Sequence, residues 1–155
     1  MTHNGKAFFH QYVPLIKAKA LSRMIPRIFA QGAGVTLDLE DSVQDTLAPE
    51  NTPALKAQAR DGLRYLVEEH AGLFEGHAFN LRINDQDSGE YEHDLALLAD
   101  IQGQIRLRQV WLPMVRGPQA MQRCFDDLRQ RGYEQTQITP IMETLEGVRR
   151  LDEIL

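Results

Sequence analysis

Five times along this chain a short apolar run of β character gives way to a stretch whose apolar residues recur at helical spacing. The β-type runs cover residues 8–16, 35–39, 78–83, 109–115 and 138–142. The first helical stretch, 17–31, carries Leu21, Met24, Ile25 and Ile28 on one side, with Pro26 interrupting it and Gly32 and Gly34 as the stop. Thr52-Pro53 opens a second with Leu55, Ala59, Leu63, Leu66 and Val67 inward. A third, 91–101, has Leu95, Leu98 and Ala99 as its stripe. Gly117-Pro118 opens a fourth with Met121, Phe125 and Leu128 inward, closed by Gly132. Thr144 caps the last, which bears Leu145, Val148, Leu151 and Leu155.

Strands separated by helical crossovers pair in parallel, so the alternation predicts an α/β protein of one domain over residues 1–155. Two architectures satisfy it. A flavodoxin-like open sheet is complete with five units. A (βα)8 TIM barrel needs eight strands and about 250 residues, of which this chain would supply the first five units. In that case the chain is truncated: it would end inside an amphipathic helix, with unpaired strand edges on both sides.

The net charge of -5 argues against broad binding to nucleic acid, and no basic run gathers positive charge. The single cysteine, Cys124, excludes an internal disulfide and sits in a helical pattern, where packing is its expected role. No apolar run approaches the ~20 residues of a membrane span, and the first residues lack the apolar stretch of a signal peptide. A cytoplasmic protein is the expectation.

Chemistry gathers where the strands end. The segment 35–43 closes an apolar run with three carboxylates, Asp38, Glu40 and Asp41. Strand alternation sets Asp38 and Glu40 opposite Leu37 and Leu39. Such a cluster at the end of a packed strand calls for a cation or donors, unless it is a solvated helix cap. Arg82 follows Phe79 and Leu81 within an apolar run, so it pairs with a carboxylate of the protein or holds one of a substrate. Glu143 precedes the last helix, as a partner of its dipole or as a hard oxygen ligand for Mg²⁺.

Five pieces in register resemble the citrate lyase β-subunit-like branch of the HpcH/HpaI aldolase/citrate lyase superfamily. They are segment 37–43, Lys56 with Arg60, segment 81–84, segment 111–115 and segment 141–147, and the likeness runs from about residue 8 to the end. The resemblance implies a TIM barrel with Mg²⁺ at the carboxyl end of its strands. It implies a carbon–carbon lyase acting on a 3-hydroxyacyl thioester, often of coenzyme A, or on a 2-keto acid. Carried over by residue, Glu143 would ligate Mg²⁺, Arg82 would hold the substrate carboxylate, Glu40 would lie in the catalytic polar shell, and Asp41 would support it. His10, His70, His77 and His93 match no family position and are expected at the surface or in caps.

Three departures accompany the likeness. The family's second metal carboxylate, after a sixth strand, would lie beyond Leu155. The first strand reads Val13-Pro14-Leu15 where the family has Val-Pro-Gly, and Met114 stands where it has lysine. A chain of this kind is expected to self-associate as a homo-oligomer and to lack full activity alone. The alternatives are a flavodoxin-like ligand-binding or phosphoacceptor domain, with the acidic cluster 38–41 as acceptor, and a non-catalytic interaction protein derived from the lyase fold.

Overall fold

The computed structural model describes residues 9–155, so Phe8, the expected start of the first strand, lies outside the described residues. The chain forms a five-stranded sheet of β1 (His10–Pro14), β2 (Gly34–Asp38), β3 (Phe79–Arg82), β4 (Leu107–Leu112) and β5 (Gln137–Pro140). Every pairing is parallel and the strands lie in chain order, β1-β2-β3-β4-β5. A flavodoxin-like sheet instead runs 2-1-3-4-5.

Between and after the strands come α1 (Ala18–Ala30), α2 (Thr52–Glu69), α3 (Tyr91–Asp100), α4 (Pro118–Gln130), α5 (Leu145–Arg149) and α6 (Leu151–Ile154). Each new strand is added on the same side of the last, so right-handed crossovers put the helices on one face of the sheet. That face is apolar: Val13, Val35, Leu37, Phe79, Leu81, Val110 and Leu112 share one core with Leu21, Ile25, Ala59, Leu63, Leu95 and Leu128 of the helices. The alternate residues, Tyr12, Thr36, Asp38, Asn80, Arg82, Gln109 and Trp111, occupy the other face.

An irregularity in β4 sets that division. Phe79 pairs with Leu107 but Asn80 pairs with Gln109, so Arg108 is an extra residue. The bulge lets Leu107 and Val110 both reach the helical core while Gln109 and Trp111 turn away from it.

The second face is concave. Tyr12 on β1 and Trp111 on β4 are three strand spacings apart, roughly 14 Å in a flat sheet. Their rings nevertheless meet edge to face with centroids 5.4 Å apart. The central strands β2 and β3 are buried at every position, whereas β1 and β5 are partly open.

The helix stripes need three corrections. In α3, Leu97 is buried and Ala99 exposed, because the buried face is centred one position earlier than the stripe of Leu95, Leu98 and Ala99 implies. In α4, Cys124 and Leu128 are buried while Phe125 is 43% exposed. Leu145, Val148, Leu151 and Leu155 do not face the core: the expected single helix breaks at Arg150 into α5 and α6, and all four are exposed. Thr144 does cap α5, accepting a hydrogen bond from Gly147 N at 2.9 Å. Among the described residues, no helix is long and apolar enough to cross a membrane.

Candidate functional site

Asp38 ends β2 fully buried, and its side chain organises the turn after the strand. Oδ1 accepts from the Glu40 backbone N–H at 2.9 Å and Oδ2 from that of Ser42 at 3.1 Å. These bonds fold residues 39–42 back on themselves, which carries Glu40 and Asp41 toward the end of β3.

Arg82 stands there. Its Nε donates to Asp38 Oδ1 at 2.8 Å and its Nη2 to Oδ2 at 2.6 Å, a two-pronged pairing of planar groups. Nη1 donates to Asp41 at 2.9 Å and lies 3.2 Å from Glu40 Oε2. The guanidinium also rests over the Tyr12 ring, 4.7 Å from its centroid. Of the two roles open to Arg82, pairing within the protein is the one observed, with three carboxylates as partners.

Burial and pairing pull the charges in opposite directions. Burial pushes the Asp38 carboxyl up, but Arg82 and the two backbone donors bring it below the usual range. Burial also works against the Arg82 charge, and the Asp38 hydrogen bonds with the three carboxylates hold it firmly protonated. Glu40 ends differently: burial first, then the neighbouring Asp41, push it up to about 7 despite Arg82 and Lys56. The Arg82 contact is an ion pair without hydrogen-bond geometry, so the buried Oε2 of Glu40 has no donor. It is available to hold a proton, a water or a ligand.

A second network backs this rim. Asn84 Nδ2 donates to the Leu39 carbonyl at 3.0 Å and to Asp94 Oδ2 at 2.7 Å, while Asn84 N donates to the same Asp94 oxygen at 2.8 Å. Asn84 Oδ1 accepts from the Lys56 ammonium. Arg60 joins Asp94 at 3.1 Å to Glu90 at 2.7 Å. Asp94 escapes the reading of 91–101 by its apolar residues, although positions 91, 94, 95 and 98 share one helix face and could have flagged it.

Glu143 follows β5 by three residues and is exposed. It belongs to the same end of the sheet. Burial raises the Tyr12 hydroxyl, Arg82 opposes, and nearby carboxylates, Asp38 first, add to the rise. Glu40, Asp41 and Arg82 are thus in direct contact, whereas among the described residues no hydrogen bond or ion pair joins Glu143 to them. Among the described residues, no group of three or more His, Cys, Asp or Glu side chains is arranged to hold a metal ion.

Met114, just past β4, adopts a left-handed backbone with φ of 56°. Arg116 pairs with Asp87 at 2.5 Å on the surface. His10 is not a surface histidine: it is half-buried, 2.9 Å from Asn80 Nδ2, and near Trp111 on the concave face. His77 stacks on Phe29, His70 reaches the Tyr65 hydroxyl, and His93 is exposed.

Neither a family model nor a curated protein matches the sequence. Among solved structures, the crystal structure of RipC from Yersinia pestis matches with a TM-score of 0.63 and 20% sequence identity, over 96% of this chain and 52% of RipC. The chain spans about half the length of that structure, and at this identity the likeness shows a shared α/β fold alone.

Proposed function

We propose that this chain is the first part of a (βα)8 barrel of the citrate lyase β-like kind, a carbon–carbon lyase acting on a 2-keto acid or a 3-hydroxyacyl thioester. The observation that carries this reading is the contact of Glu40, Asp41 and Arg82 at the carboxyl end of a parallel sheet whose strands run in chain order. Carboxyl ends are where such sheets place their chemistry. The sequential order, the helices on one face and the Tyr12–Trp111 contact across the other favour a barrel wall over a flat open sheet.

Cleavage of this type needs an acceptor for the hydroxyl proton and a fixed orientation for the substrate anion. Glu40 suits the first task, since its buried oxygen has no donor and its proton affinity lies near neutrality. Arg82 suits the second, provided a substrate carboxylate displaces Asp41, the more exposed of its partners. A bound Mg²⁺ would supply polarisation of the keto group, easing the charge that develops on the departing fragment. Glu143, an exposed carboxylate at the same end, is the residue that would hold it. Mg²⁺ commonly takes only one or two protein carboxylates and completes its shell with water and substrate.

Arg82 is already neutralised inside the protein, which favours a second reading: a non-catalytic binding protein on the same scaffold. One titration separates the two. Amide shifts are followed by NMR as Mg²⁺ and oxaloacetate are added at millimolar concentration. The lyase reading expects Mg²⁺-dependent shifts at Glu40, Arg82 and Glu143, lost with Glu143→Gln and weakened with Arg82→Lys, which keeps the charge but not the fork. Shifts elsewhere, or the same response in both variants, would refute it.

A further inference from the structure

Arg82 uses its guanidinium unevenly. Nε and Nη2 both donate to Asp38, which is fully buried at the end of β2 and also accepts from the backbone N–H groups of Glu40 and Ser42. A guanidinium has five N–H groups, so one edge remains, formed by Nη1 and the second N–H of Nη2. On that edge Nη1 donates to Asp41 at 2.9 Å and stands 3.2 Å from Glu40 Oε2. Among the described residues, Nη2 makes no hydrogen bond except to Asp38.

The three carboxylates around Arg82 differ in what holds them. Their side chains are 0% exposed for Asp38, 14% for Glu40 and 58% for Asp41. Besides Arg82, the Asp41 carboxylate has one hydrogen bond, an exposed one from Gln44 Nε2 to Oδ1 at 3.2 Å. Its backbone is fixed, because it lies between Glu40 and Ser42, whose N–H groups are both tied to Asp38. Release of Asp41 from Arg82 therefore needs only side-chain rotation into water. An exposed ion pair is weak, whereas parting Asp38 from Arg82 would strand a buried charge.

We propose that Asp41 is an internal stand-in for a ligand carboxylate: it occupies the outward edge of the Arg82 guanidinium, gives way to the carboxylate of a small organic acid, and so sets the affinity and selectivity of the site. That the incoming acid is a substrate rests on the lyase reading, but the exchange of one carboxylate for another at Arg82 does not. Competition from Asp41 lowers the apparent affinity in proportion to the fraction of molecules in which the edge is open. It also discriminates. An incoming group must match a charge-assisted hydrogen bond to take the place of Asp41, so neutral carbonyl and hydroxyl groups are rejected.

The test titrates the full chain with sodium acetate in place of sodium chloride at constant ionic strength. Nitrogen-15 NMR reads the Arg82 side chain and carbon-13 NMR the Asp41 carboxyl. In the parent both signals should follow one saturating curve with a common midpoint, since binding and release are the same event. Asp41→Ala should bind acetate about two- to sixfold more tightly, the range an ion pair of this exposure supports. Acetamide, the neutral counterpart, should move neither signal. If Asp41→Ala does not fold, the two parent curves decide alone. Arg82 signals that move while the Asp41 carboxyl stays, Arg82 signals that do not respond to acetate, no gain in affinity with folded Asp41→Ala, or an equal response to acetamide overturns the proposal. Acetate has no keto group and the titration holds no Mg²⁺, so its failure is distinct from failure of the Mg²⁺ and oxaloacetate response expected of the lyase reading.

Discussion

Replacing Arg82 with methionine should be among the most damaging single changes this fold can suffer, and the damage should depend on pH. The substitution keeps the apolar stem but removes every donor that Asp38 receives from a side chain of β3. Asp38 is fully buried and retains only the backbone N–H groups of Glu40 and Ser42. Breaking a buried ion pair by removing one partner costs about 3–5 kcal/mol, a large part of the ~5–15 kcal/mol that holds a domain together. The sign with pH comes from Asp38, whose folded carboxyl lies below its unfolded value because of Arg82. A depressed carboxyl stabilises above the unfolded range, near pH 4, and that contribution vanishes as pH falls through the folded value. Without Arg82, burial is less opposed and Asp38 takes up its proton at a higher pH than in the parent. The penalty should therefore be largest at pH 7 and shrink as pH falls through the variant's raised carboxyl value toward the parent's depressed one. Urea unfolding by circular dichroism at pH 7, 5 and 3.5 measures it. The double change Asp38→Leu with Arg82→Met should recover much of the loss, since no buried charge is then stranded. A penalty under about 1 kcal/mol at pH 7, or one that is the same at all three values, would refute this account of the pair.

Other consequences can be checked in the same way. Glu40 is raised to about 7, chiefly by burial, so the parent should lose stability as pH rises from about 4.5 to 7. Glu40→Gln should remove that slope and stabilise the chain at pH 8 by roughly 1–3 kcal/mol in urea unfolding. Gly62 lets α2 approach the turn after β1, and a Cβ there would meet the Leu15 carbonyl oxygen at 2.3 Å. Gly62→Ala should therefore destabilise by about 1–3 kcal/mol, although alanine is the better helix former; a gain in melting temperature would contradict the packing. Burial pushes the Cys124 thiol up to about 12, so a thiol reagent at pH 8 should label it no faster than the chain opens. Labelling at the rate of a free thiol would show that α4 is not packed as described.

Residues 35–43 illustrate how far the sequence reaches. An apolar run ending in three carboxylates announced a buried strand delivering charge to one place, because alternation and the expense of burying acids are local rules. The same rules found Arg82 and fixed the β-α order from end to end. They left open whether Arg82 served the protein or a substrate. That choice depends on how far Asp38 lies from it across two strands, and residues 44 apart in the chain carry no such distance.

The register Asp38↔Arg82 made the pair, the turn built on Asp38 aimed Glu40 at it, and the curl of the sheet brought the Tyr12 ring under the Arg82 guanidinium. Lys56, Asn84 and Asp94 likewise became one network only when α2, β3 and α3 were packed together. The last helix erred for the same reason: the spacing of Leu145, Val148, Leu151 and Leu155 is helical, but periodicity says which residues share a side and not whether anything lies against it. Sequence determined the elements, their order and where charge would collect, all consequences of near-neighbour chemistry. Tertiary structure decided strand order, the partners of each charge and the state of Glu40, because burial and through-space electrostatics arise only between segments distant along the chain.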